Sequence, residues 1–237
     1  MLTRVLEPET LDHLSADDPA ARRARRDLRR VNAFMGARRI LVRALARVLP
    51  EGRDGLRILE IGCGDGRLLL DVARQRGARW PGARVDLLDR LSLVDDETIA
   101  AYAAAGWQAR PVVADVLDWA GADDGARWDV VVANLFLHHF DGAALARLLA
   151  GCARRADALV ACEPRRTRFA LAASHLIVFL GANAVTRRDG VLSVRAGFVA
   201  DELSRAWPGA PGAWRVDEYE DGAFTHCFCA VREGMPG

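Results

Sequence analysis

Lysine is absent from this sequence of 237 residues, so all 33 basic side chains are arginine. Since 32 residues are acidic, the formal net charge is only +1, and no overall positive charge favours nucleic acid or an anionic membrane as a partner. Abundant alanine beside arginine is typical of a biased base composition, so the arginine content alone does not indicate a function. The lack of lysine also excludes the phosphate-binding loop GxxxxGK[ST].

Cysteine is scarce and unsuitably spaced for a disulfide framework or a structural zinc site. No CxxC pair occurs, and alternation along a strand would place Cys227 and Cys229 on one face with no second pair to complete four ligands. The odd number of cysteines in a chain of this size favours reduced thiols and a cytoplasmic location. We therefore predict no metal. The five cysteines are Cys63, Cys152, Cys162, Cys227 and Cys229.

Long hydrophobic runs are also missing. The most apolar stretch, residues 169–180, is shorter than the roughly 20 residues that a membrane-spanning helix needs, and Ser174 and His175 interrupt it. The first twenty residues are acidic and polar, unlike a signal peptide. We expect no membrane span, and we expect the apolar stretch to be buried, to cover a pocket or to contact a second subunit. A monomer and a homodimer both remain open.

The hydrophobic pattern predicts one α/β domain after an N-terminal arm. The arm covers residues 1–19, and the domain covers residues 20–237. Residues 20–52 form a helical cap divided at Gly36, and residues 55–165 form the core. Substrate-side helices and two terminal antiparallel strands occupy residues 166–237.

Short apolar runs alternate with helical patterns along the core, which is typical of a mostly parallel sheet with helices on both faces. With the terminal pair, the prediction is a doubly wound sheet of seven strands. The predicted strands are residues 56–61, 84–88, 111–114, 128–133, 158–162, 214–219 and 224–231, and the predicted helices after the cap are residues 68–75, 99–105, 143–154, 169–184 and 199–207.

The strongest local motif is LEIGCGDG at residues 59–66, between a predicted strand and a helix. Alternate glycines allow a tight turn and close approach of a ligand to the backbone. The dinucleotide fingerprint GxGxxG fails, because Arg67 occupies the position of its last glycine. A dehydrogenase is therefore a distant alternative.

Polar residues end the next three strands at the same edge of the sheet. Asp89 follows Gly66 by 23 residues, where an acidic side chain can hold ribose hydroxyls. Asp115 and Val116 end the third strand and can flank an adenine ring, while Asn134 and Leu135 end the fourth. Any one aspartate could instead cap a helix, but the register of all four strand ends makes capping alone an insufficient explanation.

These motifs resemble the class I S-adenosylmethionine-dependent methyltransferase superfamily over roughly residues 55–165, which implies a Rossmann-like fold. The segment WDVVVANLFLHHF at residues 128–140 is similar to quinone-biosynthesis C-methyltransferases. DLRRVN at residues 27–32 and VTRRDGVLSVR at residues 185–195 resemble bacterial small-molecule methyltransferases, some of them associated with aromatic polyketide pathways.

The resemblance implies S-adenosylmethionine as cofactor and a role for each motif residue. Glu60 would orient the loop and the cofactor ammonium, and Gly62, Cys63, Gly64 and Gly66 would surround the methionine part. Asp89 would hold the ribose. The adenine and methionine contacts would come from Asp115, Val116, Asn134 and Leu135.

The acceptor side is less constrained by sequence. Methyl transfer needs alignment more than acid–base chemistry, but His138 and His139 follow the fourth strand and could act as a base on a phenol or enol. The favoured alternative is that one histidine caps or packs the following helix while the other is exposed. The aromatic candidates, Met35 and His175 could line an apolar chamber for an aromatic or lipophilic acceptor, although core packing explains them just as well. After the fifth strand, Glu163 or Arg166 could lie near the acceptor, although solvent exposure is the favoured explanation of Arg166. The candidate substrate residues are Phe34, Met35, Phe136, Glu163, Arg166, His175 and Phe179.

Two other functions remain open from sequence. A nucleic-acid methyltransferase is favoured only by the arginines of residues 22–30, and it is disfavoured by the near-neutral charge and the lack of a base-flipping motif. A non-catalytic binding protein with the same fold is disfavoured by the intact glycine motif. We therefore predict methyl transfer to carbon or oxygen of a small molecule, with no nucleic-acid partner.

Overall fold

The computed structural model describes residues 2–15, 17–175, 181–210 and 212–234. A sheet of seven strands forms its centre, as the sequence predicts. The strands are β1 (Arg57–Ile61), β2 (Arg84–Asp89), β3 (Gln108–Val113), β4 (Val130–Asn134), β5 (Ala158–Pro164), β6 (Trp214–Asp221) and β7 (Thr225–Arg232).

The strand order is β3-β2-β1-β4-β5-β7-β6, and β7 is antiparallel to the other six strands, which all run in one direction. The parallel pairs place the carboxyl ends of β1, β2 and β4 side by side, because Ile61 lies opposite Leu88 on one side and Ala133 on the other. The chain crosses over between β1 and β4, so the glycine motif after β1 lies at the switch point where open α/β sheets bind ligands.

Helices cover both faces of the sheet. On one face, apolar side chains of α2, α3 and α4 pack against alternate strand residues such as Ile58 and Val132. On the other, α5, α6 and α9 pack against residues such as Leu59 and Val131. The helices are α1 (Pro19–Met35), α2 (Ala37–Val48), α3 (Arg67–Arg76), α4 (Asp96–Ala104), α5 (Val116–Gly121), α6 (Gly142–Arg155), α7 (Arg168–Ser174), α8 (Ala184–Ala196) and α9 (Glu202–Ala206).

The predicted division of the N-terminal helical region at Gly36 is confirmed. Gly36 has a φ of +72°, a left-handed conformation that glycine adopts without steric cost, and it ends α1 just before α2 begins. Asp18 caps the start of α1 by accepting from the amides of Ala20 and Ala21.

Hydrogen bonds hold the N-terminal arm against the domain. The amides of Thr10 and Leu11 both donate to the carboxylate of Asp189 on α8, at 2.9 Å each. Arg4 donates to the carbonyl oxygens of Ala196 and Phe140. The arm therefore runs across α8 and the segment after β4, above the carboxyl edge of the sheet.

The single helix predicted over residues 169–184 is wrong in extent. Helix α7 ends at Ser174, whose hydroxyl donates to the carbonyl oxygen of Leu171. Asn183 then caps a separate helix, α8, by accepting from the amide of Thr186. In the ranges given above, no helix has both the length and the apolar character needed to cross a bilayer.

Candidate active site

A cavity of about 1360 Å³ opens at the carboxyl edge of the parallel strands. Its floor is the glycine loop, residues 62–66, and the adjoining ends of β1, β2 and β4. Its walls come from the N-terminal arm, α1, α8 and the segment after β4. Pockets for one small molecule usually measure about 300–1,000 Å³. The volume therefore suits two small molecules bound side by side.

The glycine loop has the backbone geometry that its sequence predicts. Gly62, Gly64 and Gly66 have φ values of +66°, +56° and +69°, in the left-handed region where residues with a Cβ are strained. A Cβ at Gly62 would also overlap the ring of Phe136, whereas a Cβ at Gly64 would meet no atom within 4 Å. Gly62 thus allows close packing against the segment after β4, and Gly64 keeps the loop open toward the cavity.

Glu60 places a buried carboxylate at the floor of the cavity. Its side chain is 3% exposed, and Oε2 has no hydrogen-bond partner among the described residues. Burial, with smaller contributions from Asp65 and Asp89, raises the pKa of Glu60 to about 8. An unpartnered buried carboxylate is costly. Such a group fits a cationic ligand, and the ammonium of S-adenosylmethionine would satisfy it.

Asp89 ties the glycine loop to the end of β2. Its Oδ2 accepts from the amide of Gly64 and its Oδ1 from the amide of Leu91, both at 2.9 Å. These bonds fix the carboxylate in the cavity wall, and each oxygen retains a further lone pair for a hydroxyl group.

Asp115 shows that the capping alternative is correct at one strand end. Its carboxylate accepts from the amide of Leu117 at 2.7 Å and so caps α5, while the residue also lines the cavity. The neighbouring Val116 lines the cavity as well.

Asn134 and Leu135 lie at the end of β4, also in the cavity wall. Leu135 has a φ of +51°, a strained conformation for a leucine, and its amide donates to the carbonyl oxygen of Cys162. Cys63 is buried beside the loop, and burial raises the pKa of its thiol above the ordinary value. The structure therefore brings nine of the ten predicted cofactor residues to one cavity. The exception is Gly66, which lies against Leu87 and does not line the cavity.

Glu163 lies behind the cavity wall, where it organises the segment after β4. Its side chain is fully buried, and it accepts from the amides of Phe136 and Leu137 at 3.0 and 2.8 Å. Oε2 also lies 2.7 Å from Nδ1 of His138. Glu163 thus fixes both the backbone and the ring of His138, and it does not line the cavity with the substrate candidates.

His138 lies between two carboxylates. Although burial alone lowers the pKa of His138, Glu163 and Glu9 raise it to about 9. The Nε2 atom lies 3.4 Å from Oε1 of Glu9, a residue of the arm. The ring of His139 lies 4.3 Å from that of His138 and lines the same cavity. We refer to Glu9, His138 and His139 as the histidine cluster.

The predicted substrate residues separate into two groups. Phe34, Met35 and Phe136 line the cavity, and Phe34 is 67% exposed. Arg166 is buried away from the cavity lining, where it donates to Gly197 and Glu202, so the expectation that it is solvated is wrong. His175 is exposed at the end of α7 and does not line the cavity with the described residues. Phe179 lies outside the described residues.

Sequence reasoning missed Glu9 and the pair of Arg29 with Asp65. Arg29 on α1 lies 2.7 Å from Asp65 in the glycine loop, and both residues line the cavity. No sequence signal marks these contacts, because each of them joins segments far apart in the chain. Residues of the arm and α1 thus line the site together with the residues of the core motifs.

A family model described as a methyltransferase domain matches residues 29–161, more than half of the chain. The chain belongs to this methyltransferase family. The enzyme class predicted from the sequence, an S-adenosylmethionine-dependent methyltransferase, is confirmed. No curated protein matches the chain significantly.

Solved structures share the fold at low sequence identity. The plantazolicin methyltransferase BpumL, solved with SAH, is 13% identical, with a TM-score of 0.63 and 92% of each chain covered. An O-methyltransferase family protein from Burkholderia thailandensis and the pyocyanin biosynthetic protein PhzM are each 19% identical, with TM-scores of 0.59 and 0.58. The alignments cover 92% and 94% of the present chain but only 61% and 60% of those two proteins. These similarities confirm the α/β fold.

Proposed function

We propose that this methyltransferase transfers the methyl group of S-adenosylmethionine to a small aromatic or lipophilic acceptor. The observation that carries the proposal is the buried Glu60 carboxylate at the floor of the cavity, beside the glycine loop and Asp89. Its Oε2 has no partner in the part of the chain that the structure describes. A cation on the methionine part would pair with Glu60. The hydroxyl groups of the ribose would donate hydrogen bonds to the carboxylate of Asp89, and the adenine would lie near Asp115 and Val116.

The remaining cavity supports a separate acceptor site. Beyond the glycine loop, the arm, α1 and α8 contribute apolar side chains to its walls, including Leu11, Phe34 and Leu192. Charged and polar side chains such as Arg29 and Asn32 lie among them. The apolar side chains favour a flat or lipophilic molecule, and the polar groups among them would fix its orientation.

His138 and His139 would supply the polar contact to the acceptor atom. Transfer from a sulfonium is an in-line displacement, and correct orientation alone lowers such a barrier by roughly 7–11 kcal/mol. The amides of Phe136 and Leu137 donate hydrogen bonds to Glu163, and the ring of Phe136 packs against Gly62. These contacts keep the histidines at a fixed distance from the glycine loop. Their role is to orient an acceptor hydroxyl or carbon acid toward the methyl group.

The arginines of α1 favour a small molecule over nucleic acid. Three of those in residues 22–30 have acidic partners within the protein, which lowers the charge left for phosphate groups. The pairs are Arg22 with Asp17, Arg29 with Asp65, and Arg30 with Asp27.

The test is methyl transfer from isotopically labelled S-adenosylmethionine to a panel of phenolic and polyketide-like compounds. We expect at least one acceptor, and we expect Phe34→Ala to raise its KM about tenfold, since burying a phenylalanine contributes roughly 1.5–3 kcal/mol. Phe169→Ala is the matched control, because Phe169 is 63% exposed and stacks on Phe224 instead. Labelled product from polynucleotides, with none from the panel, would contradict the proposal.

A further inference from the structure

The histidine cluster has the composition of a metal site. One ligand atom each from Glu9, His138 and His139 lies within 4.8 Å of the others, in the wall of the cavity. Two imidazole nitrogens and one carboxylate oxygen form a donor set suited to zinc and neighbouring transition metals, and unsuited to magnesium, which prefers oxygen ligands alone.

The orientation of His138 supports a ligand at Nε2. This atom is buried, it makes no hydrogen bond with any residue in the described ranges, and it lies 3.4 Å from Oε1 of Glu9. Ligand atoms bound tetrahedrally to zinc at about 2.1 Å lie about 3.4 Å from one another. The spacing of this pair is therefore already that of two atoms sharing one ion.

Glu163 provides the support that a metal-binding histidine usually has. Its Oε2 lies 2.7 Å from Nδ1 of His138, the nitrogen that faces away from Glu9. A carboxylate at this nitrogen fixes the ring and makes the opposite nitrogen a better electron donor. Glu163 is held in turn by the amides of Phe136 and Leu137, so the support is rigid.

Charge in the cluster also favours a cation. Two buried or partly buried carboxylates, Glu163 and Glu9, flank His138, and Ser193 donates a hydrogen bond to Oε1 of Glu9. Arg4 lies nearby, but its guanidinium donates to the backbone carbonyl oxygens of His138 and Phe140 and not to the carboxylates.

We propose that Glu9, His138 and His139 bind a divalent transition-metal cation whose open coordination positions face the acceptor side of the cavity. Three protein ligands with at least one open position are the pattern of catalytic rather than structural sites. This assignment departs from the sequence expectation of no metal, because Glu9 comes from the arm and no local spacing connects it to the histidines.

The proposal rests on the proposed function and narrows its acceptor to molecules with a phenolic or enolic hydroxyl. The cation binds the hydroxyl oxygen and lowers its pKa, and the proton leaves to solvent. The oxygen lone pair then forms the bond to the methyl carbon as the carbon–sulfur bond breaks, and its electrons remain on sulfur as a neutral thioether. The product is an O-methyl ether.

The test is titration of tag-free, chelator-treated protein with Co²⁺, followed by visible absorption, and then displacement of Co²⁺ by Zn²⁺. We expect one ion per chain. Glu9→Gln and His139→Gln should each weaken binding by more than about 100-fold, since losing even a supporting residue behind a ligand costs 10–100-fold. Glu7→Gln and His175→Gln are matched controls at neighbouring or exposed positions, and both should bind the ion as the unmodified protein does.

Two outcomes would overturn the metal site. One is a protein that binds no Co²⁺ or Zn²⁺ at a stoichiometric site, and the other is a Glu9→Gln or His139→Gln variant that binds as the controls do. Calorimetry with S-adenosylhomocysteine on the same samples separates this failure from failure of the proposed function. If the protein binds S-adenosylhomocysteine but no metal ion, the metal site alone is rejected. If the protein does not bind S-adenosylhomocysteine, the proposed function is rejected.

Discussion

The part of the cavity at the glycine loop, the first wall, is built mostly from the backbone and short side chains of residues 62–66, which Asp89 at the end of β2 holds in place. The second wall, at the histidine cluster, is built from long side chains of three distant segments. The first wall depends on the conformation of residues 62–66 and on two bonds from Asp89. The second depends on the arm, the end of β4 and β5 meeting around Glu163. Cofactor geometry is therefore encoded locally, and acceptor geometry is encoded by the tertiary fold.

Replacing Glu163 should show how strongly the second wall depends on a single buried group. Glu163→Ala removes the partner of His138 and of two backbone amides, and breaking a buried pair costs about 3–5 kcal/mol. Chemical denaturation measures the loss of unfolding free energy. The control is Glu220→Ala, which breaks the more exposed pair with Arg165 and should cost less than about 1 kcal/mol. Equal losses in the two variants would contradict the account.

Two glycine substitutions test the first wall from within. Gly62→Ala forces a Cβ into the ring of Phe136 at a left-handed φ, and we expect a loss of about 2–4 kcal/mol in unfolding free energy. Gly64→Ala has a similar φ but open space around the Cβ, so it should cost only about 1–2 kcal/mol. Thermal and denaturant unfolding provide the comparison. If Gly64→Ala proved the more damaging, the packing of Phe136 on the loop would not be the reason for Gly62.

The third prediction concerns the pH dependence of the ligand-free protein. The pKa of Glu60 is raised from 4.5 to about 8, so between these values the unfolded chain releases a proton that the folded protein keeps. The contribution of Glu60 to stability therefore falls as pH rises from 4.5 to 8, and is constant above. We expect Glu60→Gln to be more stable than the unmodified protein by about 1–3 kcal/mol near pH 8, with little difference near pH 4.

Unfolding curves over this pH range, recorded without ligand, measure the difference between the two proteins. Asp118→Asn is a suitable control, because Asp118 is exposed on α5 and does not line the cavity. If the difference in unfolding free energy between Glu60→Gln and the unmodified protein did not change with pH, Glu60 would not be a buried carboxyl with a raised pKa. Glu60→Gln should also bind S-adenosylhomocysteine more weakly than the unmodified protein, so this substitution changes stability and ligand binding in opposite directions.

The sequence predicted the first wall because its signals are local. Glycines at alternate positions after an apolar strand require a specific turn, and each parallel strand predicted in the core was found, with shifts of up to a few residues at its ends. Helix α5 was missed because six residues are too few to show a helical period, and α8 because its sequence contains Gly190 and paired arginines.

The second wall could not be predicted in this way. Glu163 was expected to touch the acceptor, but the fold buries it behind His138, and Arg166 is drawn into contacts with Gly197 and Glu202. Glu9 gave no signal, because its partner His138 lies far along the chain. Such contacts depend on how the arm crosses α8, which hydrophobic periodicity does not specify.

The most direct test of the central claim is calorimetric titration with S-adenosylhomocysteine of the unmodified protein, Asp89→Ala and Asp118→Ala. Hydrogen bonds to a charged group contribute about 1.5–3 kcal/mol, so Asp89→Ala should lose at least about tenfold in affinity while Asp118→Ala binds normally. That result would establish the glycine loop and Asp89 as the cofactor site of this methyltransferase. Equal affinity in all three proteins, or no binding to the unmodified protein, would contradict it.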